Sequence, residues 1–238
     1  MNKPGCVVMC HGWAYGPSLF DPFLHWVREQ HPKLWAALQW VTVDLGYGKA
    51  TVPSNPGTLH YANLSQLDPA ECVAIGHSLG FAKLLEHSTQ WAHVVSVGGF
   101  THFCSLPKAP EGTAPRVLDR MITRADMDLP TVLADFQARC GLPLPNAHSS
   151  TWNGAALLSD LHLLKSIDVS TQLTEHIQAK GLATSLEFSE DAIVPANLSA
   201  ACFQGKALRT TTPGPHAGLG LNSTGYTGVV SAIERALN

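Results

Sequence analysis

A serine between two glycines raises the question of chemistry in this chain. The stretch Gly76-His77-Ser78-Leu79-Gly80 follows the apolar run Val73, Ala74, Ile75 and precedes Phe81, Ala82, Leu84 and Leu85. The first run reads as a buried strand, the second as one face of a helix. Gly-x-Ser-x-Gly also occurs in plain glycine-rich turns, but between a strand and a helix it suits a nucleophile elbow. Glycines let the backbone turn sharply without Cβ clashes. The serine then stands at a helix N-terminus, where the dipole and free N–H groups favour developing negative charge.

A serine hydroxyl needs a base, and the base needs an acid to orient it. Downstream, Asp191 in "EFSEDAIVPAN" falls just past a strand-like run, and His216 in "TTPGPHAGLG" lies in a Pro- and Gly-rich loop past another. The order Ser78, Asp191, His216 is one in which such triads occur. Glu187 and Glu190 are alternative acids, Asp191 could instead cap the following helix, and His216 could be a plain loop histidine. Acyl transfer also needs an oxyanion hole. The backbone N–H of Leu79, next to the serine, supplies one donor. The turn "CHGW" after the first strand supplies the other through the N–H of Trp13, with His11 and Gly12 shaping the turn.

These groups must be held by elements. Strand-like runs are read at 7–10, 38–46, 72–76, 93–100, 182–189 and 206–212, and helical patterns at 22–30, 79–90 and 225–238. "GYGKATVPSNPGT" (46–58) reads as loop. Alternation of strand and helix predicts a mostly parallel sheet with helices on both faces. Residues 101–166 break the alternation: "PRVLDRMITRADM", "LPTVLADFQARCG" and "NGAALLSDLHLLKSI" read as three helices. An all-helical insertion between two strands is a candidate lid within one domain spanning 1–238.

Composition narrows the class. The chain has 238 residues, 45% hydrophobic and 14% charged, with a net charge of −3. That suits one core and gives no general attraction to nucleic acid or to an anionic membrane. No apolar run reaches the ~18 residues of a membrane span, and no signal peptide is read at the start, so the expectation is a cytoplasmic protein. The six cysteines form no CxxC pair and read as reduced thiols. The twelve histidines show neither HExxH nor zinc spacing. No metal and no other cofactor is called for. A monomer is the expectation.

With these residues in place, the sequence resembles the α/β-hydrolase superfamily. "HGW", "VDLGYGKA", "GHSLG", "DAIVP" and "PHAGL" fall in family order over nearly the whole chain. It most resembles the pimeloyl-carrier-protein methyl ester esterases of biotin synthesis (the BioH type) in "CHGWAYGPSLFDPFL" and in "NGAALLSDLHLLKSIDVSTQL". It departs from them in a short 44–78 stretch, in Phe81 after the elbow, and in the missing Pro-Gly of "DLGYGKA".

The resemblance implies an α/β-hydrolase fold and hydrolysis of a small acyl ester presented by an acyl carrier protein. It implies an apolar channel, for which Trp13, Leu79, Phe100, Phe103 and Trp152 are candidate walls. An acidic carrier calls for basic residues near the mouth. Arg116, Arg120 and Arg124, spaced four apart, share one face of a lid helix, and Arg139 and Lys108 add to them. Val117, Leu118, Met121 and Ile122 are expected on another face. Glu111, Asp119, Asp126, Asp128 and Asp135 on the same insertion allow an ordinary solvated face instead.

Overall fold

A strand buried on both faces favours an apolar run, and the first strand is the clearest case. Strand β1 (Cys6–Cys10, CVVMC) is buried at every position. The computed structural model describes residues 4–48, 57–61, 64–107, 109–142, 152–181, 183–220 and 224–238. The other strands are β2 (Gln39–Val43), β3 (Thr58–Tyr61), β4 (Cys72–His77, also buried throughout), β5 (His93–Val97), β6 (Ala183–Phe188) and β7 (Ala207–Thr212). They form one seven-stranded sheet in the order β3-β2-β1-β4-β5-β6-β7. Every pairing is parallel.

The chain starts in mid-sheet at β1, builds outward to β3, and returns to place β4 on the other side of β1. The order therefore reverses between β1 and β4, and the crevice beyond their carboxyl ends is where open α/β sheets present their functional groups. Both chemistry-bearing turns leave from there: register pairs Cys10 with Gly76, so "HGW" and "HSLG" emerge side by side.

Alternate residues of a strand face opposite ways. Cys6, Val8 and Cys10 join an apolar cluster with Leu84 and Leu85 of helix α3 (Leu79–His87). Val7 and Met9 join the other cluster, beneath helices α1 (Asp21–Gln30) and α8 (Thr224–Leu237). Between these lie α2 (Pro32–Ala37), α4 (Pro115–Arg139), α5 (Gly154–Leu163), α6 (Ser170–Lys180) and α7 (Ala196–Phe203).

The structure corrects the sequence reading in several places. Strand β3 begins at the end of the stretch read as loop, and makes seven strands where six were expected. It is a short edge strand with one neighbour and its Leu59 is 43% exposed, so it carries no apolar run to signal it. Helices α2 and α6 were also not anticipated, and the helix after "AIVP" is α7. The two helices expected at 115–127 and 129–141 are the arms of α4, bent at Asp128 (φ −150°, ψ 75°). There Asp128 caps the second arm: its carboxylate accepts from the Thr131 N–H at 3.2 Å and hydroxyl at 2.7 Å. Pro130 fits the first turn of such an arm, where no N–H is needed.

The helical insertion leaves and rejoins the sheet at one neck. His102 and Asp168 form an antiparallel bridge, and the Val169 N–H donates to the Thr101 carbonyl at 2.9 Å. A second tie joins the insertion to the core: Asp160 on α5 accepts from the Tyr47 hydroxyl and from Lys83 of α3, the latter at 2.8 Å. All six cysteines are free and buried. Among the described residues, no helix is long and apolar enough to cross a membrane.

Candidate active site

Ser78 stands at the junction of β4 and α3 with φ 54° and ψ −125°. A non-glycine residue held there costs on the order of 1–3 kcal/mol, so its surroundings must impose it. Two glycines make room. A Cβ on Gly76 would strike the backbone of Phe81, and one on Gly80 would strike the carbonyls of Cys10 and His11. The Ser78 N–H donates to the Val97 carbonyl at 3.0 Å, and the Ser78 carbonyl accepts from the Phe81 N–H at 3.1 Å. The elbow is thus pinned to β5 on one side and wound into α3 on the other.

His216 follows β7 and Asp191 follows β6. The two meet, His216 Nδ1 donating to Asp191 Oδ2 at 2.7 Å. The other carboxylate oxygen accepts from the N–H groups of Ile193 (2.8 Å) and Val194 (2.7 Å). Three donors therefore hold this carboxylate in place. The pair is almost fully buried. With Nδ1 bonded to a carboxylate, the proton belongs on Nδ1 and Nε2 is the basic nitrogen. That Nε2 is buried and has no hydrogen-bond partner, so Ser78 Oγ is not bonded to it here. Catalytic hydrogen bonds often tighten only once substrate is bound.

Gly98 links the elbow's anchor strand to the His216–Asp191 pair. It follows Val97, the acceptor of the Ser78 N–H, and has φ +53°. A Cβ there would lie 3.3 Å from His216 Nδ1 and 3.4 Å from Asp191 Oδ2. The alternative acids point elsewhere. Glu187 grips Arg209 of β7 through two contacts of 2.5 and 2.8 Å, and Glu190 is exposed.

His77, inside the elbow motif, reaches the same loop. Its Nε2 donates to the His216 carbonyl at 3.1 Å, and the two rings lie 4.8 Å apart. Burial, with His216 and His11 close by, holds its pKa well below the ordinary histidine value, so it serves as a neutral donor.

The turn after β1 packs directly on the elbow. A Cβ on Gly12 would sit 2.7 Å from the Ser78 Cβ and 2.9 Å from His77 Nδ1, so only glycine allows the approach. His11 braces the turn from within: Nδ1 donates to the Gly12 carbonyl at 2.9 Å, and Nε2 accepts from the Leu45 N–H at 3.1 Å. Ala14 is left-handed, with φ 63°. Among the described residues, neither the Trp13 nor the Leu79 amide donates to another backbone carbonyl. Both N–H groups lie on segments that flank Ser78.

Of the expected channel walls, Trp13, Leu79, Phe100 and Phe103 are buried in the cluster on the α3 side, and Trp152 packs against it half-buried. Phe100 and Phe103 pair at 5.1 Å. Trp13 instead meets Phe136 of α4 edge-on at 4.8 Å, a residue not singled out among the expected walls.

The arginines take different parts. Arg116, Arg120 and Arg124 are exposed. Arg120, Arg124 and Arg139 line a groove of about 590 Å³ between the arms of α4, with Val117, Met121, Val132 and Phe136. Arg124 pairs with Asp135 at 2.9 Å, and Arg139 donates to the Ala192 carbonyl at 3.2 Å. Leu118 and Ile122 are buried, whereas Val117, 46% exposed, and Met121 line the groove beside Arg120 and Arg124 and so do not lie on a face apart from them. Lys108 lies outside the described residues.

No protein-family model and no curated protein matches the sequence. Solved structures do match the shape. An esterase from Exiguobacterium antarcticum superposes with TM-score 0.72 at 15% identity, covering 98% of this chain and 93% of that one. A hydrolase from Oleispira antarctica gives 0.63 at 14%, covering 98% and 93%. A structure from work on carboxylesterases of Nitrososphaera gargenis gives 0.63 at 11%, covering 99% and 91%. Likeness at such identities speaks for architecture, and in architecture this chain has the α/β-hydrolase fold.

Proposed function

We propose that this chain is a serine carboxylesterase. The observation that carries the reading is Ser78 on its strained elbow, whose neighbour His77 bonds the His216 carbonyl, with a buried His216 whose Nδ1 is bound to Asp191 and whose Nε2 has no partner. His216 Nε2 takes the Ser78 Oγ proton as the oxygen attacks the ester carbonyl. The N–H groups of Leu79 and Trp13 hold the oxyanion. Asp191 stays ionised and stabilises the imidazolium. The tetrahedral species collapses, and His216 returns the proton to the departing alcohol. Water, deprotonated by His216, then attacks the acyl-enzyme, and the acid leaves with Ser78 restored.

The substrate in this reading is the methyl ester at the far end of a pimeloyl chain borne by an acyl carrier protein, a step of biotin synthesis, with the insertion as lid. The sequence resemblance and the arginine-rimmed groove on α4 support it, since an apolar floor with a basic rim suits an acyl arm on an acidic carrier. Six unpaired cysteines fit a reducing compartment, the cytoplasm.

The test is a mass spectrum of methyl-pimeloyl carrier protein after incubation with the protein, beside a Ser78→Ala control. The expected product is lighter by one methylene, with turnover in the control lower by roughly 10⁴–10⁶-fold. A carrier stripped of its whole acyl group would mean a thioesterase. An untouched carrier, with small free esters still cleaved, would mean a broad short-chain esterase. If a fluorophosphonate probe also failed to label Ser78, the chain would be a ligand-binding protein on a hydrolase scaffold.

A further inference from the structure

Three successive residues of the turn beside the nucleophile are held by the helical insertion. The Trp13 indole N–H donates to the Leu157 carbonyl of α5 at 2.9 Å. Gln137 of α4 donates through Nε2 to the Ala14 carbonyl at 2.6 Å. The Tyr15 hydroxyl donates to the Leu142 carbonyl, just past α4, at 3.1 Å. On its other side the same turn presses on Ser78 and His77 through Gly12. It is therefore clamped between elbow and insertion.

Gln137 stands out. It is fully buried, and its Oε1 has no hydrogen-bond partner. Burying an amide oxygen unpaired works against folding, and an apolar side chain of like volume would fill the space without that penalty. What glutamine adds is one donor, and the donor is spent on Ala14, whose left-handed backbone follows the Trp13 amide.

We propose that Gln137 is a positioning residue for the oxyanion hole. Together with the Trp13 indole, it makes the insertion a working part of the site rather than only a cover over it. The proposal rests on reading Ser78 as an esterase nucleophile. Gln137 touches no reacting atom; it acts through the turn that aims the Trp13 N–H. An oxyanion donor must be held in the transition-state position to be useful.

The experiment compares a p-nitrophenyl ester with the matching thionoester, whose C=S sulfur is a poor acceptor and gains little from the N–H donors. In Gln137→Met, kcat on the ester falls roughly 10–100-fold, less than the ~10²–10³ of losing a donor outright, with KM little changed. The thionoester rate holds, so the ester-to-thionoester ratio falls with kcat. Trp91→Phe, which cuts a buried indole bond to the Leu84 carbonyl in the last turn of α3, lowers the melting temperature and leaves the ratio alone. If Gln137→Met fails to fold, Trp13→Phe, which removes the bond to Leu157 but keeps a ring against Phe136, shows the same fall in ratio. An unchanged ratio in the folded variant, with an active wild type, overturns the proposal alone. A wild type inactive on both esters overturns the esterase reading and this proposal with it.

Discussion

His93 at the start of β5 links folding to acid at a single side chain. Burial, with His176 and Arg235 nearby, pulls its pKa down to about 4, while in the unfolded chain it titrates near ~6.5. As pH falls below ~6.5 the unfolded chain takes up the proton first, so stability is full above that value and is lost on the way down to about 4. We expect the urea midpoint to fall less between about pH 7 and about pH 4.5 in His93→Gln than in the wild type. An equal fall would show that other groups carry the acid sensitivity. At this same scale, part of the site was legible and part was not. Ser78, Asp191 and His216 could be picked out because each follows a strand and their types fix the chemistry. Gln137 could not, because its partner lies 123 residues away and a lone glutamine in a helical pattern carries no signal.

Helix α4 shows what the pattern of an element can and cannot convey. Its two arms were readable as two helical patterns, "PRVLDRMITRADM" and "LPTVLADFQARCG", and the structure joins them at Asp128 between the two. The side of the helix left open was harder to read. Val117 was placed on a face apart from the arginines, yet it lines the groove between the arms with Arg120, Arg124 and Arg139, because helical spacing sets neighbours along one helix and not what the next arm covers. If an acidic carrier docks there, Arg120→Glu with Arg124→Glu should lower kcat/KM on the carrier-borne ester by roughly tenfold or more, and the loss should shrink as salt rises. A small free ester should be spared. Equal loss on both substrates would make this an ordinary solvated face.

At the scale of the whole molecule, the parallel sheet was readable from the alternation of elements, whereas β3 escaped because one-sided pairing at the edge asks little of its sequence. The topology then explains why residues as distant as Cys10 and Gly76 share a register and why the site forms where it does. One further property follows from the six thiols, all free and all out of reach of solvent. Burial also pushes the Cys10 and Cys140 thiols up to about 12, so an alkylating reagent finds little thiolate at these two positions in the native state. The chain thus carries its own stopwatch for opening. In iodoacetamide, each added carbamidomethyl group marks a moment when some part of the molecule came apart. We expect Cys104 and Cys140, which lie in the insertion, to be marked before Cys10 and Cys72 in the central strands. Six modifications arriving together would mean that the insertion and the sheet open only as one body.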